Sequence, residues 1–83
     1  MGRHAPHRAQ LVFTETAEQQ IARLDPAAYA RLDRALVTIS LNPLVGDQLA
    51  ATPMLREFNQ GSTRTIYFAT SLGSVVVVAY VEA

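Results

Sequence analysis

The clearest pattern of apolar and polar positions lies in the last third of the chain. Three runs, 54–59, 63–70 and 74–82, are separated by two short glycine-containing segments, and the second and third runs are rich in β-branched and aromatic residues. This pattern predicts three consecutive strands joined by tight turns. Gly61 and Gly73 lie in the separating segments and can supply the positive φ that short hairpin loops need. The last run is apolar at both parities, so we expect both of its faces to be covered.

The first half of the chain is patterned for one short strand and two helices. Residues 10–13 form a short apolar run, and Thr14 after it is a typical N-cap for a first helix. A second helix is predicted over 26–41, with Asp25 as its N-cap and Asn42-Pro43 as its end. The apolar stripe of this helix consists of Tyr29, Leu32, Leu36 and Ile39.

The order of these elements predicts an α+β fold with the succession β-α-α-β-β-β. We expect two N-terminal helices packed on one face of a small, mainly antiparallel sheet. The first strand reaches the sheet after a long helical crossover, which permits a parallel pairing. Residues 44–53 are predicted to be a loop that turns at Gly46-Asp47. A single domain over 10–83 would follow a flexible N-terminal arm, 1–9.

Alternation along the strands predicts which residues share a face of the sheet. Along 63–70, one side carries Arg64, Ile66 and Phe68, and the other side carries Thr65, Tyr67 and Ala69. Along the last strand, strict alternation sets Val75, Val77, Ala79 and Val81 against Val76, Val78, Tyr80 and Glu82, which assigns Tyr80 to core packing. Because two helices can cover one face only, we expect the other face to be an exposed apolar surface that binds a partner.

Composition limits the classes of function. The chain has seven basic and seven acidic residues, and this balance argues against strong non-specific nucleic-acid binding. It has no cysteine, which excludes disulfides and thiolate metal sites. His4 and His7 lie three residues apart in the arm without a third ligand candidate nearby, so we expect no metal and no cofactor. No apolar stretch reaches the roughly 18–20 residues of a membrane span, and we expect a soluble cytoplasmic protein.

All seven cations are arginines, and two of them, Arg56 and Arg64, lie isolated on the predicted strands. The planar donor fork of arginine suits phosphate and carboxylate equally well. Each arginine could therefore bind an anionic ligand or pair with Glu57 or another acid of the sheet. Spacing alone shows no glycine-rich phosphate loop, nucleophile elbow or metal cluster.

Four stretches of the chain, taken in order, resemble the RelE/ParE superfamily of bacterial toxins. Residues 11–17 (Leu-Val-Phe-Thr-Glu-Thr-Ala) resemble the opening strand and helix start of that family, and Leu41-Asn42-Pro43 resembles the end of its second helix. Residues 55–58 (Leu-Arg-Glu-Phe) resemble a strand of the RelE/HigB-like branch. Residues 63–68 (Thr-Arg-Thr-Ile-Tyr-Phe) resemble its arginine-containing strand.

The resemblance implies the toxin of a type II toxin–antitoxin system. Such a toxin inhibits translation by metal-independent cleavage of mRNA on the ribosome, and a cognate antitoxin neutralises it. By this resemblance, Arg64 is the catalytic candidate that grips the scissile phosphate, and Arg56 and Arg64 are the RNA-binding candidates. The antitoxin is expected on the exposed apolar sheet face, where a homodimer could also form.

Two alternatives remain open within the superfamily. The chain has no lysine, has zero net charge, and stops about two residues short of the position where active relatives carry a C-terminal basic residue. A ParE-like inhibitor of DNA gyrase needs no catalytic residues. A non-catalytic toxin-like binding module needs only its partner interface.

Overall fold

The computed structural model describes residues 8–83 of the protein. Its elements are β1 (Gln10–Phe13), α1 (Glu15–Ala22), α2 (Pro26–Leu41), β2 (Asp47–Gln48), β3 (Arg56–Gln60), β4 (Thr63–Ala69) and β5 (Val75–Glu82). The five strands form one sheet in the order β1-β5-β4-β3-β2. The predicted α+β class and the parallel pairing of β1 with β5 are confirmed. The short strand β2 lies in the segment that was predicted to be a loop.

Both helices begin at the predicted caps. The Ala17 N–H donates to Thr14 Oγ1 at 3.2 Å, and the Ala28 N–H donates to Asp25 Oδ1 at 2.8 Å. These contacts satisfy amide groups that have no partner inside the helix. The hairpin glycines are confirmed as well, since Gly61 has φ 60° and Gly73 has φ 68°.

The core lies between the two helices and one face of the sheet. Its buried apolar residues are Ala9, Ala17, Leu32, Leu36, Ile39, Tyr67, Val76, Val78 and Val81. We call this side of the sheet the helix face. Leu11 and Phe13 of β1 and Phe58 of β3 pack against the same cluster. Both helices of the described range therefore cover the same face, as the amphipathic pattern predicts.

A bulge in β5 corrects the predicted alternation of that strand. Ile66 pairs with Tyr80 and Tyr67 pairs with Val78, so Ala79 is an extra residue between two paired positions. The Ala79 carbonyl accepts a hydrogen bond from Thr14 Oγ1 at 3.1 Å. Beyond the bulge the phase is inverted, because one inserted residue moves every following side chain to the other face.

The inverted phase changes two assignments. Val81 lies on the helix face and is only 3% exposed, together with Val76 and Val78. Tyr80 lies on the opposite face, beside Ile66 of β4. The assignment of Tyr80 to core packing was therefore wrong, and the reason is the bulge at Ala79.

The segment between α2 and β3 also differs from its prediction. The chain makes a hydrogen-bonded turn at 42–45, where the Val45 N–H donates to the Asn42 carbonyl at 2.9 Å, and it bends again at Gly46, while Asp47 already belongs to β2. Gly46 is buried, and a Cβ atom there would lie 2.9 Å from Tyr67 Oη and 3.0 Å from the Glu57 carbonyl oxygen. Glycine is required at this position because two neighbouring groups approach the backbone closely.

Of the predicted N-terminal arm, only Arg8 and Ala9 are among the described residues. The Ala9 N–H donates to the Ser40 carbonyl at 2.8 Å, and Arg8 Nη2 donates to Ser40 Oγ at 3.3 Å. The rest of the arm, including His4 and His7, lies outside the described residues. Neither helix in 8–83 is long and apolar enough to cross a membrane.

Candidate functional site

The sheet face opposite the helices is apolar and has no helix of the described range upon it. We call it the open face. Its apolar side chains are Val12 of β1, Ile66 and Phe68 of β4, and Val75, Val77 and Tyr80 of β5. None of the six belongs to the buried core cluster. The predicted apolar surface is therefore present, with Val12 exposed and the other five side chains partly exposed, and an apolar surface without a cover is typical of a protein interface.

A charged cluster lies at one end of the open face, around Arg64. Arg64 Nε donates to the Glu57 carboxylate in a close contact, and Arg64 Nη1 lies 3.6 Å from Glu82 Oε1. The Tyr80 hydroxyl donates to Glu82 Oε2 at 2.7 Å. The guanidinium carbon of Arg64 lies 5.8 Å from the centre of the Tyr80 ring, within range of a cation–π contact. We refer to these four residues as the Arg64 cluster.

Ionisation in the Arg64 cluster is governed by these contacts. The hydrogen bond from Arg64 holds the pKa of the Glu57 carboxyl below its ordinary value, and the same bond raises the pKa of the Arg64 guanidinium. The hydrogen bond to Glu82 raises the pKa of the Tyr80 hydroxyl. The cluster sets two acidic residues, Glu57 and Glu82, against the single guanidinium of Arg64. All three charged side chains are partly exposed, so an anion from solution could displace either carboxylate.

Arg56 lies on the helix face. It pairs with the buried Tyr67, whereas Arg64 pairs with Asn59 and Glu82 on the open face. Arg56 Nη1 donates to the Gly46 carbonyl at 2.7 Å and to the Leu44 carbonyl at 3.3 Å. The structure thus does not bring the two predicted RNA-binding arginines together.

Tyr67 holds the same loop from the other side. Its hydroxyl donates to the Pro43 carbonyl at 2.7 Å and accepts from the Gly46 N–H at 3.0 Å. Burial raises the pKa of this hydroxyl. Tyr67 and Arg56 both bond to the loop that follows α2 and so hold it against the sheet. The hydroxyl of Tyr67 and the loop groups named here all have hydrogen-bond partners, as is usual for polar groups in a structural contact.

Sequence reasoning missed two members of the Arg64 cluster. Glu57 was named as an alternative partner of Arg64, but Tyr80 was assigned to core packing, and Glu82 was given no role beyond sharing a side of its strand with Tyr80. The pairing of Arg64 with Glu82 depends on the bulge at Ala79, and nothing in the run of valines before it marks that position. Among residues 8–83, no group of three or more histidine or acidic side chains is arranged to hold a metal ion.

Comparison with known proteins gives matches in structure only. No protein-family model and no curated protein matches the chain. The chain is similar to a chain of the RelBE2 toxin–antitoxin complex of Mycobacterium tuberculosis, with a TM-score of 0.81, 24% identity, and 90% of each chain covered. It is similar to E. coli RelE in complex with a peptide of its antitoxin RelB, with a TM-score of 0.74, 23% identity, and 92% and 86% covered.

An archaeal relative shows the same fold at greater distance. The RelE–RelB complex of Pyrococcus horikoshii matches with a TM-score of 0.68 and 17% identity over 90% of this chain and 93% of that one. The resemblance to the RelE/ParE superfamily is thus confirmed at the level of the fold, and the chain has the fold of RelE toxins. The match extends over nearly the whole of both chains, so it covers the helices and the sheet together.

Proposed function

We propose that this protein is the toxin of a bacterial toxin–antitoxin pair and that its antitoxin covers the open face. The observation that carries the proposal is an apolar sheet face, lined by six side chains, on a fold shared with RelE toxins. The similar chains from Mycobacterium tuberculosis and Pyrococcus horikoshii come from complexes with antitoxins. A surface of this kind gains stability when a partner removes it from water.

The finer proposal is that the toxin cleaves mRNA on the ribosome and that Arg64 grips the scissile phosphate. A guanidinium can make two parallel hydrogen bonds to a phosphate and stabilise its developing negative charge. The 2′-hydroxyl of the RNA is the attacking group, so catalysis consists mostly of positioning. Arg64 is suited to this role because its acidic partners are side chains that are at least partly exposed. Arg56 remains a predicted RNA ligand, with its Nη1 already bonded to two loop carbonyls.

Antitoxin binding can be tested with two matched valines. Val12 on the open face is 42% exposed, and Val37 on the outer side of α2 is 36% exposed. Val12→Asp should weaken binding of the protein encoded by the neighbouring gene about tenfold or more, because a charge would be buried at the interface. Val37→Asp should leave it nearly unchanged. Wild-type affinity in the Val12→Asp protein would contradict the assignment of the open face.

The activity can be tested by induced expression in a bacterial host without antitoxin, with mapping of RNA 5′ ends. The proposal predicts growth arrest with cuts at fixed positions in translated codons, and loss of both in a folded Arg64→Gln variant. Growth arrest with intact messages and damaged DNA would contradict it and indicate a ParE-like action on gyrase. Normal growth would also contradict RNA cleavage.

The Arg64 cluster favours one second candidate, a non-catalytic toxin-like binding module. Two carboxylates surround the arginine, so the cluster opposes a phosphate unless one of them moves. A binding module would keep the open face and its partner without cutting RNA. It predicts normal growth on expression. It also predicts that the isolated protein self-associates or binds the neighbouring gene product, and that Val12→Asp abolishes this interaction.

A further inference from the structure

The two acids of the Arg64 cluster lie on the sides of the guanidinium at which a phosphate would bind. A guanidinium offers two forks of paired donors, one formed by Nε with Nη2 and one formed by Nη1 with Nη2. Glu57 takes Nε, and Glu82 lies 3.6 Å from Nη1. The fork of Nε with Nη2 is therefore occupied by a hydrogen-bonded acid, and the fork of Nη1 with Nη2 faces a second negative charge at ion-pair distance. A phosphate can form a bidentate contact with the first fork only by displacing Glu57, and at the second fork it meets the repulsion of Glu82.

We propose that Glu57 and Glu82 are built-in competitors for the phosphate site of Arg64, so that they set how tightly the protein binds an RNA phosphate. The inference rests on the proposed role of Arg64 as the phosphate ligand. It adds that the two acids weaken phosphate binding by competing for the guanidinium. Removing either acid should therefore strengthen phosphate binding.

The backbone fixes both acids close to Arg64. Glu82 pairs directly with Arg64 across β4 and β5, and Glu57 lies on β3 opposite Ile66, on the same face and diagonal to Arg64. Side chains at such cross-strand positions lie close enough to contact each other. The strand register therefore keeps both acids near the guanidinium, although each carboxylate can rotate away from it.

Tyr80 is the residue that orients Glu82. Its hydroxyl donates to Oε2 of Glu82 at 2.7 Å, which leaves Oε1 directed at Arg64. The Tyr80 ring also lies beneath the guanidinium. Tyr80→Phe keeps the ring and removes the hydrogen bond, so it should release Glu82 and strengthen phosphate binding by less than Glu82→Gln does.

The experiment is a titration of the purified, ¹⁵N-labelled protein with inorganic phosphate and then with a short single-stranded RNA, at constant salt. The probe is the Nε–Hε resonance of Arg64. Each variant removes one negative charge beside Arg64, so phosphate should bind more tightly. The dissociation constant should fall about fivefold in Glu57→Gln and about twofold in Glu82→Gln. The larger effect belongs to Glu57 because it makes the closer contact.

The matched control is Glu15→Gln, the same change of charge at an exposed position in the first turn of α1. It should leave the dissociation constant unchanged, which separates a local effect from the overall charge. In a protein that already carries Arg64→Gln, adding Glu57→Gln should no longer tighten phosphate binding. Binding to these variants is measured from the backbone amide resonances of the open face, because the Arg64 probe is absent. Circular dichroism checks the fold of every variant, and Glu82→Gln decides the question if Glu57→Gln does not fold.

Three results would overturn the inference. One is a dissociation constant in Glu57→Gln and Glu82→Gln equal to that in Glu15→Gln. Another is weaker binding in those variants, which would mean that the acids hold Arg64 in its binding conformation. The third is a lack of measurable binding in every protein. Because the readout is phosphate binding, absence of toxicity overturns only the proposed function, and cleavage without tighter binding overturns only this inference.

Discussion

Arg56 and Arg64 lie on neighbouring strands of one sheet and make opposite kinds of contact. Arg56 lies on the helix face and donates to backbone carbonyls of the loop after α2. Arg64 lies on the open face and contacts carboxylate side chains. Backbone carbonyls can be released only if the loop moves, whereas a partly exposed carboxylate can rotate away. The contacts therefore differ in how easily each arginine could be released to bind a ligand.

The same contrast separates the two faces of the sheet. On the helix face, Tyr67, Val76 and Val78 are completely buried beneath the helices. On the open face, the neighbouring Val75 and Val77 are only partly buried by the sheet itself. Changes on the helix face should therefore affect stability, and changes on the open face should affect binding.

The largest contrast is expected between two adjacent valines of β5. Val78→Ala should lower the free energy of unfolding by about 2–3 kcal/mol, because it removes two buried methyl groups and leaves a cavity. Val77→Ala should cost less than about 1 kcal/mol, since this side chain is already partly exposed. Urea denaturation followed by circular dichroism measures both, and equal losses would show that the two faces are equally packed.

The next effect concerns the loop after α2. Tyr67→Phe should cost about 1–3 kcal/mol, because the Gly46 N–H and the Pro43 carbonyl both lose a buried partner. Tyr29→Phe is the control, as Tyr29 is 54% exposed and should change stability by less than about 0.5 kcal/mol. If the Tyr67→Phe protein were as stable as the Tyr29→Phe protein, the hydrogen bonds of Tyr67 to the loop would not contribute to stability.

The two arginines themselves give a smaller effect. Arg56→Gln should lower the free energy of unfolding by about 1–2 kcal/mol through the lost bonds to the loop carbonyls. Arg64→Gln should leave stability almost unchanged, because exposed ion pairs contribute little. Thermal denaturation of both variants under one set of conditions measures the two losses of stability. A larger loss for Arg64→Gln would invert the structural and ligand-binding assignments.

The smallest effect is a dependence of stability on pH. The pKa of Glu57 in the folded protein lies below its ordinary value of 4.5. Its contribution is therefore complete above the pKa of the unfolded chain and is lost as the pH falls through the folded pKa. The difference in Tm between wild type and Glu57→Gln should narrow as the pH is lowered from about 6 to about 3. A difference that stays constant would show that the Glu57–Arg64 contact does not stabilise the fold.

Local chemistry explains which parts of the fold could be predicted from the sequence. Thr14 and Asp25 cap helices with their own side chains, and Gly61 and Gly73 supply the φ of their own turns. Each signal is contained within a few residues, so the element order followed from it.

The features that escaped prediction depend on contacts between distant segments. The bulge at Ala79 arises where β5 pairs with β4 and receives a hydrogen bond from Thr14, 65 positions away. The hydrogen bonds of Arg56 could not be predicted either, because the loop carbonyls that accept them come near Arg56 only in the folded sheet. The side of a strand on which a residue lies could therefore be predicted before Ala79 and not beyond it.

The central claim is that Arg64, on the open face, contacts RNA. The most direct measurement is cleavage of mRNA by the purified protein on programmed ribosomes, detected by primer extension, with wild type, Arg64→Gln and Arg56→Gln. The account predicts that wild type cuts the mRNA and that a folded Arg64→Gln protein does not. Arg56→Gln should still cut when the assay temperature is below the lowered Tm of this variant. Cuts at wild-type rate by Arg64→Gln, or none by wild type, would contradict it.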